Sequence, residues 1–419
     1  MTCPAPDLTT AGRYTRDGHP WAAFDRLRRE APAFWYHRPG FEPFWAITRH
    51  ADIVAISQRP EIFSNTQRLR IADLDTVDRE NDRRAARTGC PFDAPSNMLA
   101  MDPPAHRANR RIASLQFTPR AVAKHEEVFR RLSEHYAEDL LRVLTDADGP
   151  VDFVRAFADR LPLFAICSIA GVPEEDWPRV LRWIGARVDP GHYPIPGLTP
   201  AEIHRVNLRE FDDYFLALIA DRRRTPREDL LSSLVHRTVD GVQLTDRELL
   251  EYLLFLISAG NETTRSTTAF GLEAVLQHPD QLQLLVDDPG LLPSAVEEIV
   301  RWTSVFGHFA RTCRERFALH GREIRPGETV ALFYPSANRD ETVFTDPYTF
   351  DVTRNPNPHV GFGRGEHFCL GVNLAKAELR AMFGALIPQL PRLALAGPVE
   401  RIPGRIDVLM ARALPVRLA

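Results

Sequence analysis

From Thr245 the chain reads as one uninterrupted helix ending before Pro279, and a helix of that length constrains everything packed around it. Thr245-Asp246-Arg247-Glu248 is a capping box, in which the Thr hydroxyl and the Glu carboxylate satisfy backbone N–H groups at the start of the helix. At a rise of 1.5 Å per residue such a helix is roughly 50 Å long, enough to cross a whole domain. Its middle, Leu253-Leu254-Phe255-Leu256-Ile257, is apolar on every side, which predicts a path through the core. Directly after it come Ser258-Ala259-Gly260-Asn261-Glu262-Thr263-Thr264, a polar cluster where burial should be greatest. A core helix carries such a run at a cost, so the run calls for a chemical reason.

The rest of the chain supports a large, ordinary globular enzyme. It has 419 residues, 44% hydrophobic and 26% charged, with no repeat and no Gly/Ser linker, so residues 1–419 are expected to form one domain. Helical patterns dominate, and short alternating stretches at Phe44–Thr48 and Thr329–Phe333 add a small β region, giving a mainly α fold. Two segments read as loops that can gate a site, Arg68–Asn97 and Gly191–Pro200. A net charge of -4 offers no general attraction to nucleic acid or anionic lipid. Met1–Thr10 lacks the basic start and apolar run of a secretory signal, so a cytoplasmic location is expected. The most apolar stretch, Leu161–Val172, contains Pro162 and falls short of the ~20 residues of a membrane span, so it reads as a buried helix and no membrane anchor is expected. Five cysteines, Cys3, Cys90, Cys167, Cys313 and Cys369, are scattered without a CxxC pair, the pattern of a reducing compartment.

One of these thiols stands apart. The chain reads His359-Val360-Gly361-Phe362-Gly363-Arg364-Gly365-Glu366-His367-Phe368-Cys369-Leu370-Gly371, and Ala375, Leu379, Met382 and Leu386 then recur at helical spacing. Cys369 therefore sits just ahead of a helix N-terminus, where free N–H groups and the helix dipole favour thiolate, a ready iron ligand. Gly363, Gly365 and Gly371 permit backbone conformations and close approaches that a Cβ would block, as a flat macrocycle over the loop requires, and Phe362 would shield the sulfur. An isolated cysteine would more simply be a buried structural thiol. Zinc ligation by His359, His367 and Cys369 is a further alternative, but it matches no zinc spacing and lacks a fourth ligand.

The run Phe362-Gly-Arg-Gly365-Glu-His-Phe-Cys369-Leu-Gly371 resembles the haem-binding signature of the cytochrome P450 superfamily. The resemblance extends through an ordered series of motifs over roughly the last three quarters of the chain, and is loose in the first hundred residues. It implies a mostly helical prism with a small β region, and haem b between the long helix and the Cys369 loop, with Cys369 as iron ligand. Ala259-Gly260-Asn261-Glu262-Thr263-Thr264 resembles the family's oxygen-activation motif, which explains the polar cluster: Gly260 leaves room for dioxygen, Glu262 relays protons and Thr263 passes them on. Thr263 can equally bond back to the Ala259 carbonyl, as helical Thr often does.

Further elements follow from the same resemblance. His106 and Arg110, one helical turn apart, together with Arg311 and His367, resemble the cationic partners of the haem propionates. Glu298 and Arg301 match the ExxR element and, with Arg354, imply a buried structural network. The implied reaction spends two electrons and two protons on dioxygen and inserts one oxygen atom into a C–H bond. The chain has no GxGxxG at a strand-to-helix turn and no flavin domain, so electrons from NAD(P)H are expected through an iron–sulfur ferredoxin and its reductase, docking near Arg107, Arg111 and Arg364. Leu256, Ala259, Val305, Phe306 and Phe309 suggest an apolar pocket for a sterol, terpenoid, alkyl or other natural-product substrate. A peroxide-driven peroxygenase and a non-catalytic haem sensor are the rival readings, against which Glu262 and Thr263 favour the reductive enzyme.

Overall fold

The computed structural model describes residues 6–78, 98–239 and 241–419. Among the helices of the described residues are α1 (Ala105–Ser114), α2 (Glu126–Asp146), α3 (Arg160–Ala170), α4 (Trp177–Val188), α5 (Pro200–Arg224), α6 (Asp246–Gln277), α7 (Leu292–Thr303) and α8 (Val372–Leu386). The chain divides into two compact units, each assembled from separate stretches of sequence. Among the described residues no helix is long and apolar enough to cross a membrane.

The first unit comprises 1–107, 297–369 and 401–410. It holds a five-stranded sheet of β1 (Ala33–Tyr36), β2 (Phe44–Ile47), β3 (Phe63–Ser64), β4 (Phe309–Cys313) and β5 (Thr329–Leu332), in the order β1-β2-β5-β4-β3. The two strands expected from alternation, β2 and β5, lie side by side in parallel, with Phe44 opposite Thr329 and Ile47 opposite Leu332. Ile47, Phe63, Val330 and Leu332 build an apolar core here with Ile53 and Tyr334.

The strongest polar feature of this unit is a clamp on α7. Arg301, fully buried, donates from Nε to Glu298 Oε2 and from Nη2 to Oε1, each at 2.7 Å. Its remaining N–H groups bond the carbonyls of Asn338, Pro347 and Thr349. Arg354 Nε lies 3.3 Å from Glu298 Oε2, and the Asp351 amide and the Asn357 side chain also donate to Glu298. The three residues expected to associate are therefore together, with every oxygen of the carboxylate engaged.

The second unit comprises 108–296, 370–400 and 411–419. It packs α8 on α2, α6 on α3 and α8, and α5 on α4, beside a small antiparallel sheet of Leu393–Leu395, Pro415–Leu418 and Val151–Asp152. The buried helix expected at Leu161–Val172 is α3; Pro162 falls in its first turn, where no intrahelical N–H bond is due. Gly171 ends it at φ 78°, and a Cβ there would meet the Asp229 carboxylate at 2.2 Å, so both conformation and space require glycine. α6 runs from the Thr245 capping box to Gln277, as its sequence signals require.

Removing the Arg301 guanidinium would strand a buried carboxylate and three buried carbonyls. Arg301→Ala is expected to lose roughly 3–5 kcal/mol of stability, or to fail to accumulate as folded protein, by urea unfolding; an unchanged midpoint would contradict a load on this ion pair.

Candidate active site

Cys369 follows a tight series of turns in the first unit. Its amide donates to the Phe362 carbonyl at 2.9 Å, Gly363 N–H to Val360, and Phe368 N–H to Gly365. Gly363 and Gly365 take φ of 71° and 72°, and a Cβ on Gly365 would sit 2.0 Å from the Ser57 carbonyl oxygen, so this position admits glycine alone. At Gly371 φ is -89° and a Cβ would meet nothing within 4 Å, so the space beside it is free of protein atoms. The loop from Gly361 to Gly371 remains partly exposed although flanked by buried Val360 and Leu374. Helix α8 begins three residues after Cys369, and its first turn carries no acidic side chain to compete with a thiolate.

Nearby in the same unit, His106 is buried with its ring 4.1 Å from that of His367, centroid to centroid. Glu366 approaches His106 Nδ1 at 3.9 Å and accepts a bond from Arg107 Nε at 2.9 Å. Arg107, expected to be available for a redox partner, is thus engaged by a carboxylate of the Cys369 loop; Arg111 is exposed and Arg364 partly so. Arg311 is buried in β4, bonded to the Ala310 carbonyl and beside the Tyr334 hydroxyl, and burial lowers its pKa. Among the described residues no carboxylate forms an ion pair with it, although Asp102 lies within electrostatic reach, so an anion brought by a cofactor would meet a charge already desolvated. His359 pairs with Glu297 at 3.0 Å, and no cluster of three metal-ligating side chains occurs among the described residues, which removes the geometric basis for a zinc site. Val305 is buried, its carbonyl accepting from Leu409 N–H, and Phe306 stacks on Phe309 at 4.8 Å.

In the second unit, the polar cluster of α6, expected where burial is greatest, is buried along one side of the helix and not along the other. Leu249–Leu254, Leu256 and Ile257 are buried, yet Ala259 is exposed and Gly260 and Thr263 partly exposed, while Asn261, Glu262, Thr264 and Arg265 are buried. The helix therefore has an open stripe through positions 259 and 263, i and i+4, and a closed polar stripe through 261, 262 and 265. Thr263 Oγ1 donates to the Ala259 carbonyl at 3.0 Å. A Cβ on Gly260 would come no nearer than 3.6 Å to Ile166, an ordinary contact, so packing within the unit does not impose glycine. Glu262 carries a raised pKa, from burial first, with Asp159 adding and Arg265 opposing. Arg110 on α1 lies within electrostatic reach of Tyr252, whose hydroxyl donates to the Asn109 carbonyl.

In the first unit, a thiol in a glycine-built turn just ahead of an acid-free helix start and a buried guanidinium with no ion-paired carboxylate among the described residues fit an anionic macrocycle with a thiolate ligand; the second unit carries, by itself, an open patch on a core helix. The family model for "Cytochrome P450" matches residues 289–390. Cytochrome P450-terp of a Pseudomonas species is 36% identical over 92% of this chain and 90% of its own. The chain belongs to the cytochrome P450 family. The methyl-branched lipid omega-hydroxylase of Mycobacterium bovis is 38% identical over 90% of this P450 and 85% of its own length. The solved structure of Mycobacterium marinum cytochrome P450 CYP268A2 in complex with pseudoionone matches with a TM-score of 0.85, 35% identity and coverage of 99% and 98%. The fold is that of the family, and this chain is a P450 monooxygenase, for which the family implies a haem–thiolate centre. The similarity reaches well into the amino-terminal part, where motifs alone resemble the family only loosely.

Of the two candidate gates, residues 79–97 lie outside the described set. Ahead of them, Asp73 bridges Phe41 and residues 74–78 are helical, so Arg68–Asn97 is not loop throughout. In the second gate, Pro190–His192 forms a 3₁₀ turn and Thr199 caps α5. Sequence reading missed Glu378 of α8, which is buried beside Thr264. A signal existed: Glu378 lies three residues after Ala375 and four before Met382, on the stripe already assigned to the core. Burial raises its pKa well above the ordinary Glu value. The folded protein then binds a proton more tightly here than the unfolded chain, so stability falls as pH rises from the unfolded toward the folded pKa. Glu378→Gln removes that titration and is expected to raise Tm at about pH 8 while gaining little near pH 4; an equal Tm difference at both pH values would count against it.

Proposed function

We propose that this P450 hydroxylates a mostly apolar small molecule at a C–H bond, with a terpenoid, sterol or alkyl chain as the substrate class. Cys369 would hold the iron of haem b, and the observation that supports this role is the Phe362–Cys369 turn, closed by the Cys369 amide and shaped by glycines at 363 and 365. His106, Arg110, Arg311 and His367 hold the propionates, the buried Arg311 supplying the most desolvated charge. When bound, the haem supplies dioxygen activation and oxygen insertion. The protein's share is protonic and steric. Glu262 takes protons from solvent and Thr263 hands them to the reaction through Oγ1, while Ala259 and Gly260 keep the adjoining helix surface free of bulk. Leu256, Val305, Phe306 and Phe309 supply apolar surface, consistent with the relatives named for a terpene and for methyl-branched lipids. Electrons come from NAD(P)H through a ferredoxin and its reductase in the cytoplasm. With Arg107 occupied by Glu366, Arg111 is the more available docking cation.

The dithionite-reduced protein with carbon monoxide should give the strongly red-shifted Soret band of thiolate-ligated haem, and Cys369→Ser should abolish it. Haem without that band in the parent protein would favour the sensor reading, and folded protein that binds no haem would refute the proposal. Thr263→Ala should divert reducing equivalents to hydrogen peroxide, lowering product per NAD(P)H by roughly tenfold or more; unchanged coupling would remove Thr263 from the relay.

A further inference from the structure

Glu262 has a proton to deliver, yet its carboxylate lies on the closed stripe of α6, with one oxygen hydrogen-bonded and the other in ion-pair range of a guanidinium. Asn261 Nδ2 donates to Oε1 at 3.1 Å, and Arg265 Nη2 lies 2.6 Å from Oε2. The same guanidinium donates from Nη1 to Asp159 Oδ1 at 3.0 Å. Glu262, Arg265 and Asp159 are all buried, at 7%, 5% and 5% exposure. One buried cation therefore serves two buried carboxylates, an arrangement one positive charge short, and Glu262 is inclined to retain a proton. Arg187, the other cation near Glu262, is exposed and bonds Ser258 on the neighbouring turn.

The second oxygen of Asp159 accepts from Tyr193 at 3.3 Å. Asp159 stands at the junction between the π-helical turn Val154–Ala158 and α3, whereas Tyr193 belongs to the connection between α4 and α5. The tyrosine ring lies against Gly185 of α4, where a Cβ would fall 2.3 Å from ring carbons, so glycine is what lets it dock. The start of the connection is held by Arg412 Nε donating to Asp189 at 2.7 Å. An unbroken chain thus runs from a surface connection to the acid of the oxygen-activation motif: Tyr193, Asp159, Arg265, Glu262.

We infer that Asp159 and Arg265 are positioning residues for Glu262, and that Tyr193 makes their hold depend on docking of the 189–199 connection. This rests on the reading of Glu262 as the proton carrier. With Tyr193 docked, its hydroxyl partly satisfies Asp159, and Arg265 holds Glu262 turned away from Thr263. When Tyr193 leaves, Asp159 draws more fully on the guanidinium and Glu262 is released, takes a proton from solvent and turns to pass it to Thr263 Oγ1. One proton enters at Glu262 and one leaves through Thr263, and no electrons move.

Two substitutions should act in opposite directions. Tyr193→Phe keeps the packing against Gly185 and removes only the hydroxyl, so Glu262 should be released and remain protonated to higher pH. Asp159→Asn removes the competing carboxylate, so Arg265 should hold Glu262 harder and keep it ionised to lower pH. Infrared spectra of the substrate-free holoenzyme across pH, with Glu262→Gln identifying the Glu262 carboxyl band, read this without turnover. In turnover Asp159→Asn should lower kcat by about tenfold, with KM changed less than about twofold and a larger solvent isotope effect. If neither Tyr193→Phe nor Asp159→Asn moves the band, or both move it the same way, the inference is overturned even where Glu262→Gln uncouples the enzyme. If Glu262→Gln itself leaves rate and coupling intact, the relay reading falls instead.

Discussion

The Cys369 turn hangs from one buried guanidinium. Arg301 bonds the Asn338 carbonyl; the Asn338 side chain in turn accepts from Val360 N–H and donates to Ser304. Val360 is where the turn begins, its carbonyl receiving Gly363 N–H. The position of the sulfur is therefore set through backbone bonds that lead back to α7. A salt bridge so deeply buried contributes little net stability over an apolar substitute, because desolvation consumes most of the Coulomb gain. What it supplies is direction: a guanidinium with five N–H groups in a fixed plane can hold one carboxylate and three carbonyls at once, which no apolar contact can do.

How much of this is legible in the sequence depends on whether the determining contacts are local. The capping box at Thr245, the stop before Pro279 and the glycines at 363 and 365 act within a few residues, and their consequences appear where the sequence puts them. Strands β2 and β5 can be read to within a residue, but their parallel pairing joins segments almost 300 positions apart and leaves no mark in either. The same limit explains Arg107. Its sequence neighbours are basic or small, and the carboxylate that engages it, Glu366, arrives from the far end of the chain. Gly371 differs from Gly363 and Gly365 in that its backbone takes an ordinary negative φ and its surroundings are free of protein atoms. Arg265 is visible three residues from Glu262, but its second partner, Asp159, is not.

Some of the buried charge lies on α6 and α8, among it the acid of the proposed relay. Glu262 and Arg265 on α6 and Glu378 on α8 occupy positions that, by periodicity alone, belong to leucine. Each departs from the pattern that would give the most stable core, and departures of this kind collect at functional sites, where stability is exchanged for a group of altered proton affinity. Glu378 and Glu262 reach raised pKa values by different routes. Burial raises Glu378, whose carboxylate has Thr264 as a polar neighbour, whereas Glu262 sits in a contest between Arg265 and Asp159. Only the second can be altered by moving a partner.

Thr263 imposes a complementary restriction. Its hydroxyl carries one hydrogen, and that hydrogen is committed to the Ala259 carbonyl. In this geometry the exposed stripe of α6 is offered lone pairs and no proton, so Thr263 acts there as an acceptor. To donate outward, the hydroxyl must turn about its own C–O bond and give up the Ala259 bond, at a cost of about 1 kcal/mol, unless it receives a second hydrogen as it releases the first. In the proposed relay, a proton arriving from Glu262 meets that condition. The acid and the alcohol are adjacent in sequence because the helix turns them onto neighbouring stripes, one closed and able to store a proton, the other open and able to spend it.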